Sequence, residues 1–174
     1  ANEYKINSIY NLGCGRKKLD FCINCDFDRR HCPDMVFNLE ETWPIDSNSV
    51  QILLSDNVFE HVKDLVFIMS EAYRVLKKDG ILLFRVPYFR SFTAYMDPTH
   101  VRFFTLLTLK YFIDGNYHSN NYSFNNKLFF KGDSWLESSV PFLSNFSSRY
   151  PSVLDQTPGL SLLRPSSAIY LLQK

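Results

Sequence analysis

At 174 residues, with 45% apolar and 16% aromatic residues, the chain has the length of one domain and ample material for a core. Its formal net charge of +1 supplies no general field to gather nucleic acid or an anionic bilayer, so neither is expected as a partner. No apolar run approaches the roughly 20 residues of a transmembrane helix, and no signal-peptide pattern opens the chain; a cytoplasmic protein is expected. The chain starts at Ala1 rather than Met and reaches its first strand almost at once, which fits a processed form or a piece of a longer polypeptide. Residues 1–174 are expected to form a single domain.

The first apolar run, Ile9-Tyr10-Asn11-Leu12, ends in Gly13-Cys14-Gly15. A second, around Phe21-Cys22-Ile23, ends in the acidic tip Cys25-Asp26-Phe27-Asp28. A strand feeding a glycine turn lets a ligand lie against bare backbone, because glycine has no Cβ and tolerates positive φ. A carboxylate at the tip of the next strand can accept two hydrogen bonds from a ribose diol, the logic of nucleoside binding at the carboxyl edge of a parallel sheet. Asp26 follows sooner than the about 20 residues of a full βαβ unit. The first crossover is therefore predicted to be one helical turn or a loop through Arg16-Lys17-Lys18. Those three cations read first as a solvated turn and second as a contact for an anionic acceptor.

All four cysteines, Cys14, Cys22, Cys25 and Cys32, fall in this opening fifth. With His31, the Cys22-x-x-Cys25 pair has the ligand count of a zinc site. Within a strand, however, Cys22 and Cys25 have opposite parity and point to opposite faces. No metal site is expected, and free thiols suit a reducing compartment.

A third strand fits Met35 to Leu39, followed by a turn through Pro44-Ile45-Asp46-Ser47-Asn48-Ser49. Val50 to Leu54 reads as a buried parallel strand that ends in Ser55-Asp56-Asn57 at the same ligand-collecting edge. From Val62 to Lys78, apolar residues recur at three- and four-residue steps, predicting a helix with one face on a sheet and a stop at Asp79-Gly80. Ile81 to Val86 is the next buried strand, with Pro87-Tyr88 at its tip. Strand, helix and strand without hairpin signals predict a parallel α/β sheet. Thr105 is a candidate N-cap for a short helix over Leu106 to Ile113, stopped by Asp114-Gly115-Asn116. His118–Asn126 reads as a loop or hairpin rim, with strand-like residues in Tyr122–Phe130. The Ser- and Pro-containing span to Arg164 defines no clear element and is a candidate lid or partner surface. Ala168 to Leu172 closes the chain as a strand.

In order and spacing, several of these segments resemble the class I S-adenosylmethionine-dependent methyltransferases, particularly the small group called type 11. The residues carrying the resemblance are Asn11-Leu12-Gly13-Cys14-Gly15, Ile23-Asn24-Cys25-Asp26, Trp43 to Val50, Asn57-Val58-Phe59-Glu60-His61-Val62, and Tyr73 to Gly80. A further segment, Asp97 to Thr105, is similar to one that follows the fifth strand in a subset of these enzymes. The resemblance implies a Rossmann-like α/β fold: a mostly parallel seven-stranded sheet, helices on both faces and an antiparallel last strand. It implies S-adenosylmethionine as cofactor, with Gly13, Cys14 and Gly15 beside its methionyl part and Asp26 on the ribose. It puts Asn38 and Leu39 at the adenine, and Ser55 and Asp56 near the amino-acid end or the reacting methyl. Asp28 is the alternative ribose ligand.

His100, in the loop that leaves the fifth strand at the ligand edge of the sheet, is the candidate base, with Asp97 near enough to orient it; imidazole has a suitable intrinsic pKa. The competing role for Asp97, His100 and Arg102 is to pin the loop by hydrogen bonds. Glu60 and His61, at the start of the long helix, are expected to cap or support it, and Arg74 to form an ion pair. Tyr88, Phe89, Tyr95, Phe103 and Phe104 are candidates for an acceptor pocket or for core packing. The expected activity is methyl transfer to a hydroxyl of a sugar, a glycan precursor or another small molecule. Two readings compete with it. A nicotinamide-dependent oxidoreductase would share the glycine and acid pattern, but Lys18 stands where G-x-G-x-x-G needs its third glycine. A non-catalytic partner module on the same fold would account for Phe21, where relatives often have glycine, and for the short first crossover.

Overall fold

The computed structural model describes residues 8–113, 130–137, 149, 151–156 and 166–174. The central sheet contains β1 (Ile9–Leu12), β2 (Ile23–Asp26), β3 (Met35–Val36), β4 (Val50–Asp56), β5 (Leu76–Pro87), β6 (Lys131–Glu137) and β7 (Ser167–Gln173). Their spatial order is β3-β2-β1-β4-β5-β7-β6. The first five strands run parallel, and β7 lies antiparallel between β5 and β6. The strand order reverses between β1 and β4, and in open α/β sheets the crevice at such a reversal is where ligands bind. No described helix is long and apolar enough to cross a membrane.

The crossover from β1 to β2 contains no helix. Its backbone groups need other partners, and Asn24, buried in β2, supplies them. Asn24 Oδ1 accepts from Asn11 Nδ2 at 3.0 Å and from the Leu19 N–H at 2.8 Å, while Asn24 Nδ2 donates to the Leu19 carbonyl at 2.9 Å. Asp34 then accepts the Asn24 N–H at 2.8 Å. One side chain thus ties β1, the loop and β2 into a single unit.

The long helix, α1 (Leu65–Val75), is shorter at both ends than its apolar periodicity predicts. It starts at an Asp64 N-cap whose carboxylate accepts the Phe67 N–H at 2.9 Å. It stops because the N–H groups of Asn48 and Ser49 take the carbonyls of Arg74 and Val75, and because Leu76 turns extended and pairs with Val50. Lys77 and Lys78 consequently belong to β5. Glu71 and Arg74, one turn apart and 2.7 Å from each other, also grip the turn before β4. Glu71 accepts the Trp43 N–H, and Arg74 donates to the carbonyls of Trp43 and Ile45.

The core lies between α1 and the sheet and continues into an aromatic cluster under β5 and β7. Phe84 stacks on Tyr170 with centroids 4.8 Å apart and meets Phe59 at 4.7 Å. The segment after β5 carries a one-turn helix, α2 (Thr93–Met96), and a 3-10 turn at Thr108–Phe112 within the span predicted as helical. Leu107, not the expected Thr105, holds the N-cap position and gives no side-chain cap; Thr105 Oγ1 accepts the Leu107 N–H at 3.1 Å just ahead of it. Tyr170 donates to the Thr105 carbonyl, and Tyr88 donates to Asp155 of α3 (Pro151–Gln156) at 2.9 Å. β3 is shorter than predicted, and β6 is a strand that sequence reading did not identify. The expected stop at Asp114-Gly115-Asn116 and the loop over His118–Asn126 lie outside the described residues, as does most of the candidate lid.

Replacing Asn24 by Ala strands the Leu19 backbone groups and leaves the Asn11 amide with its 3.3 Å bond to the Lys17 carbonyl. An expected loss of about 1–3 kcal/mol follows from buried polar groups left without partners. Urea denaturation reads it as a lower midpoint at unchanged slope, and an unchanged midpoint would remove Asn24 from this role.

Candidate active site

The carboxyl ends of β1, β2 and β4 open into a cleft of about 800 Å³, within the size range of small-molecule sites. Gly13 forms its floor with φ +65°, a conformation that disfavours any Cβ. A Cβ there would also come within 2.5 Å of a Val58 methyl, so the close packing of the loop after β4 demands glycine. Asp26, Asn38 and Leu39 line the same cleft, together with Phe37, His61 and Thr99.

Asp26 is buried at the tip of β2. Its Oδ2 accepts the Gly15 N–H at 2.8 Å and its Oδ1 the Asp28 N–H at 2.8 Å. Each oxygen of an ionised carboxylate can take a second bond, so the group retains capacity for a ligand diol. Asp28, the alternative, is spent on Arg30: the guanidinium donates to both carboxylate oxygens and, with the Arg30 N–H, holds the carboxyl down to about 2. It lines a different cavity, with Arg16 and His31. Asn38 accepts the Glu40 N–H and donates to Glu41, which fixes its amide at the cleft wall.

Cys14, Ser55 and Asp56 gather instead around a smaller cavity of about 320 Å³ that shares Gly13 with the cleft. Ser55 Oγ donates to the Leu12 carbonyl at 3.4 Å. Asp56 is held by Arg85, its register partner on β5, through bonds of 2.7 and 2.9 Å, and this pairing lowers its pKa. Lys17 approaches the same carboxylate at 3.6 Å. Burial raises the Cys14 and Cys25 thiol pKa values, so both stay protonated and weakly nucleophilic.

His100 lies in the loop after α2 with its side chain almost fully buried. Its Nδ1 sits 2.9 Å from the Ala94 carbonyl, which fixes Nδ1 as the protonated nitrogen and leaves the Nε2 lone pair free. Ala94, not Asp97, therefore sets its tautomer. Asp97 stands 3.9 Å from His100 Nε2, and its Oδ1 accepts from the Thr99 N–H and hydroxyl at 2.8 and 2.7 Å.

Next to His100 stand two residues to which sequence reasoning gave a lesser place. Glu60 is not a helix cap, since Asp64 has that position. It is 1% exposed, and neither of its oxygens has a hydrogen-bond partner among the described residues. Burial pushes its carboxyl up to about 7. The His61 ring meets the His100 ring edge-on with centroids 4.8 Å apart, and its Nδ1 lies 3.0 Å from Thr99 Oγ1. The adjacent Glu60-His61 pair directly after β4 was the available signal. Of the candidate aromatic residues, Tyr88 and Phe104 are core, whereas Tyr95 and Phe103 stack on each other at 4.7 Å and remain exposed.

Residues 11–84 match a family profile described as Methyltransferase domain. No curated protein sequence matches the chain. A SAM-dependent methyltransferase from Archaeoglobus fulgidus superposes with a TM-score of 0.66 at 15% identity, over 97% of this chain and 86% of its own. One from Mesorhizobium loti gives 0.57 at 12% identity, over 98% and 93%. Phosphoethanolamine N-methyltransferase 2 of Haemonchus contortus, in complex with S-adenosyl-L-methionine, gives 0.57 at 13% identity, over 98% of this chain and 49% of its own. At such identities the superpositions establish a common fold.

Gly13→Ala is expected to destabilise the protein by about 1–2 kcal/mol from the left-handed backbone alone, with the Val58 contact adding to it. A Gly13→Ala/Val58→Ala double variant should recover the contact share relative to Val58→Ala, and keep the backbone share. Thermal denaturation of the four proteins separates the two, and full recovery would contradict the positive φ.

Proposed function

We propose that this chain, a class I S-adenosylmethionine-dependent methyltransferase, methylates a hydroxyl of a sugar, a glycan precursor or a similar small molecule. S-adenosylmethionine supplies a methyl carbon already activated by a positive sulfur, so the protein's task is orientation and proton removal. Holding two reactants in near-attack geometry can contribute on the order of 7–11 kcal/mol.

The cleft fits this donor. Gly13 offers bare backbone, Asp26 has acceptor capacity for the ribose hydroxyls, and Phe37 and Leu39 give apolar walls beside the Asn38 amide for the adenine. Cys14 and Gly15 extend the loop on which the methionyl part rests. Ser55 and Asp56 support that loop from the neighbouring cavity, Ser55 through its bond to the Leu12 carbonyl and Asp56 through its ion pair with Lys17.

The observation that carries an oxygen acceptor is the cluster of Glu60, His61 and His100 beside the cleft. An alcohol must lose its proton as it attacks, and a positioned group that serves this need contributes roughly 10²–10⁴-fold. His100 is central to the cluster, and Asp97 holds its loop. A sugar or similar ring is supported by the exposed Tyr95–Phe103 stack on the same segment, since flat apolar rings suit the faces of sugars.

Asp26→Ala should weaken S-adenosylmethionine binding by about 1.5–3 kcal/mol, roughly 10- to 150-fold, for lost bonds to a charged group. Calorimetry on the folded variant measures it, and an unchanged affinity would move the ribose contact elsewhere. His100→Ala should bind S-adenosylmethionine almost normally yet transfer methyl to hydroxylated acceptors at least about 10²-fold more slowly. A variant that loses thermal stability but keeps its rate per folded molecule would make His100 a loop pin.

A further inference from the structure

We propose that Glu60, His61 and His100 form a binding site for one divalent transition-metal ion. Their ligand atoms all lie within 4.8 Å of one another. The contacts are nevertheless too long for the cluster to satisfy itself. Glu60 Oε1 is 4.0 Å from His100 Nε2, beyond hydrogen-bond range, and both Glu60 oxygens are buried with no hydrogen-bond partner among the described residues. A carboxylate withdrawn from water and given nothing in return is costly. Here it faces the imidazoles across a small gap. Metal–ligand bonds of about 2.0–2.2 Å would draw the three donor atoms to about 3–3.5 Å apart, a modest closure of what is already assembled.

The surrounding bonds prepare both histidines in the same way. Thr99 gives its hydroxyl hydrogen to Asp97 at 2.7 Å, so its lone pair is left to accept the His61 Nδ1–H at 3.0 Å. The Ala94 carbonyl accepts the His100 Nδ1–H at 2.9 Å. Each ring thus carries its proton on Nδ1 and presents Nε2 as a lone pair. Metal-bound histidines are fixed in this manner, by a carbonyl or carboxylate acting on the far nitrogen. In Asp97–Thr99–His61 the carboxylate acts through a hydroxyl.

Two neutral imidazoles and one carboxylate select the class of ion. This donor set suits zinc, manganese, iron or cobalt with open coordination positions, whereas calcium and magnesium favour oxygen ligands. Of the three ligands His61 lines the cleft, beside Thr99, so the site adjoins it. On the methyl-transfer reading, on which this last step rests, an acceptor hydroxyl is the ligand those positions would take. His100 would then serve the acceptor's proton through the ion instead of taking it directly.

The test is a cobalt(II) titration of the tag-free chain after chelator dialysis, followed by visible ligand-field absorption and by the melting temperature. One ion per chain is expected, with a rise in melting temperature. The absorption should vanish in His61→Ala and in His100→Ala, and Glu60→Gln should weaken binding. Thr99→Ala, which touches no metal, should weaken it by about 10–100-fold. Absence of ligand-field bands in the folded wild type would overturn the site, as would full binding by the folded His61→Ala/His100→Ala double variant. The two readings fail separately. Cobalt bound without any binding of S-adenosylmethionine sustains the site and removes the methyl-transfer reading. Methyl transfer undiminished by chelator, with no cobalt bound, does the reverse.

Discussion

The side chain of Asn24 is the constraint from which the nucleoside end of the cleft follows. A parallel strand pair needs a crossover, and a helix would ordinarily satisfy that crossover's backbone internally. Here a single buried amide substitutes, holding Leu19 by both its N–H and its carbonyl and Asn11 by its side chain. That fixes β2 against β1 in the register that sets Leu12 beside Cys25. Asp26, one residue further, is thereby carried up to the Gly15 N–H. A compact polar knot therefore sets the distance between the glycine turn and the carboxylate.

The acceptor end is built on the opposite principle. Its residues come from two loops separated by about forty positions, and the Val101 N–H bond to the Glu60 carbonyl stitches them together. Thr99 reaches across to His61, and Arg102 donates to the Lys63 carbonyl at 2.7 Å. The interactions are polar, and several are exposed, so each contributes modestly to stability. Their effect is positional: the segment carrying His100 is laid along the start of the 60–64 turn and cannot drift from it.

What could be read from the sequence is what is encoded locally. The glycine turn, the acidic tip, the apolar runs of β4 and β5 and the periodicity of α1 each announce themselves within a dozen residues. Element ends were less legible, since they are set by partners far away. α1 stops at Val75 because Asn48 and Ser49 compete for its last carbonyls and Val50 claims Leu76. β6 was invisible because Lys131-Gly132-Asp133 has the composition of a turn, and only pairing with β7 makes it a strand. Asp56 was expected near the amino-acid end or the reacting methyl, and its ion pair could not be read until the register placed Arg85 opposite it. Glu60, His61 and His100 were each visible, but their convergence is tertiary.

The position of β7 has a consequence for how the chain is made. β5 must wait for a neighbour that lies some eighty residues downstream: Val86 pairs with Ala168, and Leu82 with Leu172. β6 emerges earlier, yet among the described residues β7 is its one strand partner. Until β7 leaves the ribosome, β5 presents a parallel edge with no other strand partner among the described residues, bearing Leu82, Phe84 and Val86, all of them buried at the end. Exposed apolar edges of this kind recruit other chains. Closure of this edge is thus deferred until β7 is made, and the nascent chain's interval of risk is set by the translation time of the segment between β5 and β7. Slow codons there would lengthen it, and a chaperone that masks sheet edges would have its natural target in β5.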